Sequence, residues 1–189
     1  METQALPLSG LVKLTPRQFR DDRGVFWETW RKGSLDKQLD IPADFVQENL
    51  SISKAGTIRG LHFQRNPHAQ GKLIRCASGR IMDVAVDIRA SSMTRGQWYG
   101  CELSDENGCQ LWIPAGFAHG FMALSDQAVV EYRCTAFYHP ESEGTIRWND
   151  SEIGIEWSAR EFTMPQGGPF LSSKDANAPT LSNAGWSFA

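Results

Sequence analysis

The strongest constraint on this chain is that its apolar runs stop every few residues at turn-forming sequence. Met82, Val84, Val86 and Ile88 alternate with Asp83, Ala85 and Asp87, the two-residue period of a strand with one strongly apolar face. Similar segments predict strands over 12–19, 25–30, 45–52, 58–64, 73–78, 97–103, 109–113, 120–124 and 129–135. Between them lie Asp21-Asp22-Arg23-Gly24, Lys54-Ala55-Gly56, Ser78-Gly79 and Ser104-Asp105-Glu106-Asn107-Gly108, all turn chemistry. One early segment, 34–39, has helix-like spacing, with Ser34 available to cap it. About ten short strands without long crossover helices predict an all-β sandwich or barrel. A jelly roll is the natural choice, because it folds such strands into two sheets around a cavity.

A chain of 189 residues suits a single domain over 1–189. From about residue 165 the strand pattern gives way to Gly, Ser, Asn and Pro, so 165–189 is expected to be irregular, wrapping the barrel or staying partly mobile. The net charge of −3 excludes a globally basic binder of nucleic acid or membrane surface, while leaving room for a local basic site. No window approaches the ~18 apolar residues of a membrane helix, and the N-terminus lacks the pattern of a secretory signal. Cys76, Cys101, Cys109 and Cys134 form no CxxC pair and sit in apolar stretches. They read as reduced core thiols of a cytoplasmic protein, although their even number leaves a disulfide open.

Chemistry concentrates in two places. Ile58-Arg59-Gly60-Leu61-His62-Phe63-Gln64, followed by His68 and Gln70-Gly71-Lys72, gathers an imidazole, a guanidinium and an amine on two adjacent strand candidates. Such a group supplies a base, an anion clamp and an electrophilic stabiliser; the alternative is a solvated strand edge with a satisfied histidine. In Pro114-Ala115-Gly116-Phe117-Ala118-His119-Gly120-Phe121, a Gly- and Phe-rich turn around His119 suggests close ligand approach, or simply a tight turn that needs glycine. No His-x-His element is present for a cupin metal centre, which leaves only a composite of His62, His119 and Glu131. Nucleophile elbow, phosphate loop and dinucleotide fingerprint are all missing.

At these clusters the sequence resembles the dTDP-4-dehydrorhamnose 3,5-epimerase family. The likeness runs through Asp22-Arg23-Gly24-Val25-Phe26-Trp27-Glu28, 47–53, Gly56-Thr57-Ile58-Arg59-Gly60-Leu61-His62-Phe63-Gln64, 71–76, 79–89, 110–121, Tyr132-Arg133-Cys134-Thr135 and Ser173-Lys174-Asp175. The resemblance implies a cupin-type jelly roll that needs no metal or other cofactor and acts as a homodimer on a dTDP-linked 4-keto-6-deoxy sugar. It implies His62 as base with Asp175 as its partner, Tyr132 as the opposing acid, and Lys72 near the sugar O4. It further implies Arg23, Arg59 and His119 around the diphosphate, and Glu28, Gln47, Asn49, Glu143 and Lys174 as further binding residues. Phe19, Phe26 and Tyr138 would pack on the thymine, with the 19–28 stretch reaching across from the partner subunit. Glu48 and Trp27 depart mildly from the family pattern, and the tail after Asp175 has no interpretable match. Rival readings are an epimerase acting at C3 or C5 alone, a non-catalytic sugar-nucleotide binder, and a metal-dependent oxygenase.

One tension is internal to the residues. Arg59 and His62 are three apart, so a flat strand aims them at opposite faces. Both serve one ligand only if the strand is distorted, and Gly60 is the place for a bulge.

Overall fold

The computed structural model describes residues 1–33, 44–157, 162–185 and 188. The helix expected over 34–39 falls outside them. Among the described residues, β1 (Glu2–Ala5), β2 (Val12–Thr15), β10 (Gln110–Ile113), β7 (Lys72–Ser78), β12 (Gln127–Cys134) and β5 (Gln47–Lys54) form one sheet in that spatial order. A second sheet runs β13 (Glu143–Thr145), β6 (Ile58–Gln64), β11 (Phe117–Ala123), β8 (Arg80–Asp87) and β9 (Trp98–Ser104). β3 (Gln18–Asp21) and β4 (Gly24–Trp27) make a separate hairpin. Neighbouring strands within the sheets are antiparallel, giving the expected cupin-type jelly roll.

The sheets close on a core drawn from both: Ile74, Leu111 and Val130 from the first meet Ile81, Leu103 and Phe121 from the second. The outer face of the second sheet is covered too. Leu61, Val84 and Val86 pack under Ile146, Ile153 and Leu181, and Ile58 and Met122 under Trp148, Phe162 and Leu171. The irregular C-terminal segment therefore packs as a wall: Phe170 bridges to Thr57, and Lys54 lies over its ring. This cover explains why β8 departs from a simple amphipathic strand. Its apolar residues Val84 and Val86 face the cover, while Asp83 and Asp87 on the other parity are fully buried rather than solvated. Asp87 accepts from Arg89 Nε and Nη2, Ser92 Oγ and Thr94 Oγ1. Burial alone raises its pKa, but those donors outweigh it and hold the carboxyl at about 2.

Several expected elements shift. The strand predicted over 12–19 breaks into β2 and β3 around Pro16, which has no N–H to donate. β1 and β13, short and polar, were not expected. His119 lies inside β11 rather than in a turn.

The tension at Gly60 resolves as a bulge. His62 pairs with His119 and Arg59 with Phe121, so three steps along β6 match two along β11. The extra residue returns Arg59 and His62 to the same face. Gly60 sits at φ +142°, and a Cβ there would lie 2.5 Å from Gly120 Cα. Gly120 is equally constrained, since its own Cβ would meet Arg59 O at 2.9 Å. We expect Gly60→Ala to cost at least about 2 kcal/mol of stability. Urea unfolding checks this: the midpoint should fall with little change in slope, and an unchanged midpoint would show that the backbone there is not constrained.

Candidate active site

A cavity of about 360 Å³ lies between the two sheets. From the second sheet the bulged β6 supplies Arg59 and His62, and β11 supplies His119; from the first, β5 supplies Gln47, Asn49 and Ser51, β7 supplies Lys72 and β12 supplies Tyr132. Tyr138, Glu143 and Lys174 line it too.

His62 is anchored from behind. Its Nε2 lies 2.6 Å from Asp175 Oδ1, and Asp175 is 2% exposed. The acid comes from α1 (Ser173–Ala176), a single turn capped by Ser172, whose Oγ accepts from the Asp175 N–H. Burial lowers the imidazole's pKa below its ordinary value, against the opposing pull of Asp175, with Lys174 and Lys72 lowering it further. Burial raises the Asp175 carboxyl, but the bond and charge of His62 and the bond from Ser172 outweigh that and leave it below its usual range. At neutral pH the carboxylate is ionised and can only accept, so Nε2 carries the proton and Nδ1 is left as the basic nitrogen.

Burial also lowers the ammonium of Lys72, whose Nζ donates to the His62 carbonyl at 3.3 Å; Asp83 and Glu143 pull the other way. Burial raises the Tyr132 phenol above its ordinary value, so it remains protonated. Arg59 donates through Nε to Ser53 Oγ at 2.9 Å, which steadies its guanidinium against β5. Lys174 Nζ lies 2.7 Å from Glu143 Oε1, and the Tyr138 hydroxyl donates to Glu143 Oε2 at 3.4 Å. The arrangement brings a neutral imidazole from one sheet and a protonated phenol from the other into one cavity that Arg59, Lys72 and Lys174 also line.

A family model described as dTDP-4-dehydrorhamnose 3,5-epimerase matches residues 5–183. The chain belongs to the dTDP-4-dehydrorhamnose 3,5-epimerase family. The enzyme of that name from Salmonella typhimurium is 52% identical over 171 residues, 90% of each chain. The crystal structure of the Elizabethkingia anophelis epimerase superposes with a TM-score of 0.90 at 42% identity, covering 98% of this chain and 99% of that one. A Legionella pneumophila 3,5-epimerase solved with dTDP-4-keto-L-rhamnose gives a TM-score of 0.89 at 42% identity, covering 96% and 93%.

Not every residue implied by the epimerase likeness reaches the cavity of its own chain. Phe19, Arg23, Phe26 and Glu28 belong to or follow the β3–β4 hairpin, where Phe26 is 70% exposed. Arg23 pairs with Asp21 and Glu28 with Arg31. Glu131 points away from the cavity to Arg75, so the composite metal site with His62 and His119 is not assembled. Conversely, Ser51, Phe63, Gln64, Gln70, Phe121 and Cys134 line the cavity although they were not among the expected site residues; Phe63, Gln64, Gln70 and Phe121 lie in the two clusters marked in the sequence. Strand parity carries the signal for two of them: Ser51 shares a face with Gln47 and Asn49, and Cys134 with Tyr132. Asp83, buried behind the wall, holds His119 Nε2 at 2.7 Å.

Proposed function

We propose that this chain is a cytoplasmic, homodimeric epimerase, folded as one cupin-like domain, that converts dTDP-4-dehydro-6-deoxy-D-glucose to dTDP-4-dehydro-L-rhamnose by proton transfer alone. The observation that supports the reading is that His62 and Tyr132 line one cavity from opposite sheets. A C4 ketone acidifies the protons on C3 and C5. His62 Nδ1 takes such a proton from one face, and the electrons move into the C4 carbonyl to form an enolate. Lys72 stabilises the developing O4 charge. Tyr132 returns a proton to the other face, which inverts the carbon with no redox step. The resulting imidazolium is stabilised by Asp175.

Arg59 and His119 hold the diphosphate in this account, Arg59 through a fork suited to phosphate oxygens. Gln47, Asn49, Tyr138, Glu143 and Lys174 contact the nucleotide side. Phe19, Arg23, Phe26 and Glu28 serve the partner's cavity, a role supported by their exposure and by their absence from the lining of their own. The direct test is conversion of the dTDP-4-keto-6-deoxy-D-glucose by protein pretreated with chelator, followed by NMR. Appearance of the L-sugar supports the reading; a sugar inverted at one carbon, or none, refutes it.

The protonation states set a pH profile. Because His62 acts as a neutral base with a pKa below about 6.5, kcat/KM should be flat at neutral pH and fall only on acidification below that value. The alkaline limb, from Tyr132, belongs above about 10. Asp175→Asn removes a group that raises the His62 pKa, so the acid limb should move to lower pH while kcat drops about 10²–10⁴-fold. An acid limb that stayed in place would show that Asp175 does not govern His62.

A further inference from the structure

The inward face of β5 carries Gln47, Asn49, Ser51 and Ser53 at alternate positions. Three of these polar side chains are satisfied within the protein. Gln47 donates to Asn49 Oδ1 and accepts from the Tyr138 N–H, and Ser53 accepts from Arg59. Ser51 is different. It lines the cavity, yet its Oγ is buried without a hydrogen-bond partner. Among the described residues only one other buried side-chain atom shares that condition, Asp83 Oδ2. An unsatisfied buried hydroxyl is destabilising, so its presence calls for a reason.

The surroundings of Ser51 suggest one. The Arg59 guanidinium bonds both residues that follow it, Nη2 to the Ile52 carbonyl and Nε to Ser53 Oγ. The backbone partner of Ser51 on β12 is Val130, which offers no polar side chain, while Tyr132 stands opposite Asn49. Arg59, reaching over from β6, thus brings its guanidinium to the stretch of β5 just beyond Ser51, and both residues line the same cavity; a guanidinium is a natural seat for an anion. Ser51 lines the cavity, and its short side chain has three staggered χ1 wells among which Oγ can turn.

Resting on the epimerase reading above, we infer that Ser51 is a substrate-binding residue whose hydroxyl donates to a non-bridging oxygen of the diphosphate held by Arg59. Phosphate oxygens only accept, and a hydroxyl beside an arginine complements them. Among the described residues no protein group bonds the Ser51 hydroxyl, and a diphosphate oxygen held by Arg59 would accept from it.

The test is Ser51→Ala, with Ser51→Cys as a near-isosteric variant lacking a strong donor and Arg59→Ala as a positive control. Titration with dTDP should show Kd raised roughly tenfold in both Ser51 variants, as for loss of a hydrogen bond to a charged group. KM should rise in parallel, with kcat within about twofold of wild type. The Tm of the ligand-free alanine variant should stay level or rise, because the hydroxyl removed was unsatisfied. An unchanged dTDP Kd in both variants overturns the inference, whatever the Tm does. So does a fall in kcat with affinity intact, which would attach the hydroxyl to Tyr132 instead. If wild-type protein fails to bind dTDP, the epimerase reading itself falls. If wild type and Ser51→Ala bind dTDP equally while Arg59→Ala does not, only the Ser51 assignment is lost.

Discussion

Replacing His62 with alanine is expected to lower kcat by at least about 10³-fold while leaving the Kd for dTDP within a few-fold of wild type. In the proposed mechanism the base acts on the sugar, whereas nucleotide affinity rests on other residues of the cavity. Proton removal precedes every later event, so the variant should also fail to exchange substrate hydrogens with solvent. Folding should survive: His62 is half-buried, with 29% of its side chain exposed, and its ring is hydrogen-bonded to Asp175. Steady-state kinetics with dTDP titration checks both halves. A loss of dTDP affinity matching the loss of kcat would instead make His62 a binding residue.

Tyr132→Phe separates acid from base. The ring and its packing remain, and only the hydroxyl is lost. Turnover to inverted product should drop about 10²–10⁴-fold. Hydrogen exchange at the carbon next to the ketone should persist, because His62, as the proposed base, would still remove the proton and return one to the same face. Exchange without inversion is therefore the expected signature. Loss of exchange as well as inversion would mean that Tyr132 takes part in proton removal, and the assignment of roles to the two sheets would be wrong.

Some of this site was readable in the residues, for identifiable physical reasons. Strand β6 occupies the span expected from its composition, and the three-residue spacing of Arg59 and His62 required the distortion that the Gly60 bulge supplies. That bulge is a backbone event tied to glycine, which is why the sequence marks it. Asp175 is different: a one-turn helix leaves no periodicity to detect, and only the family resemblance singled it out before the structure set it behind His62. Asp83 was masked because an aspartate alternating with valines looks like a solvent-facing position, and the burial of that parity depends on how the second sheet meets the first. Ser51 was overlooked although parity with Asn49 put it on the same face. Its significance lies in a missing partner, a property of three-dimensional packing. The hairpin residues Phe19, Arg23, Phe26 and Glu28 were named by resemblance, and a single chain leaves them outside its own cavity.

The central claim is that two carbons flanking a ketone are each deprotonated on one face and reprotonated on the other. Running the reaction with the dTDP-4-keto-6-deoxy sugar in deuterated water tests it most directly, reading the product by NMR and mass spectrometry. The account predicts one solvent deuterium at C3 and one at C5, both in inverted product. Deuterium at a single carbon, or inversion without solvent hydrogen at either, would contradict it.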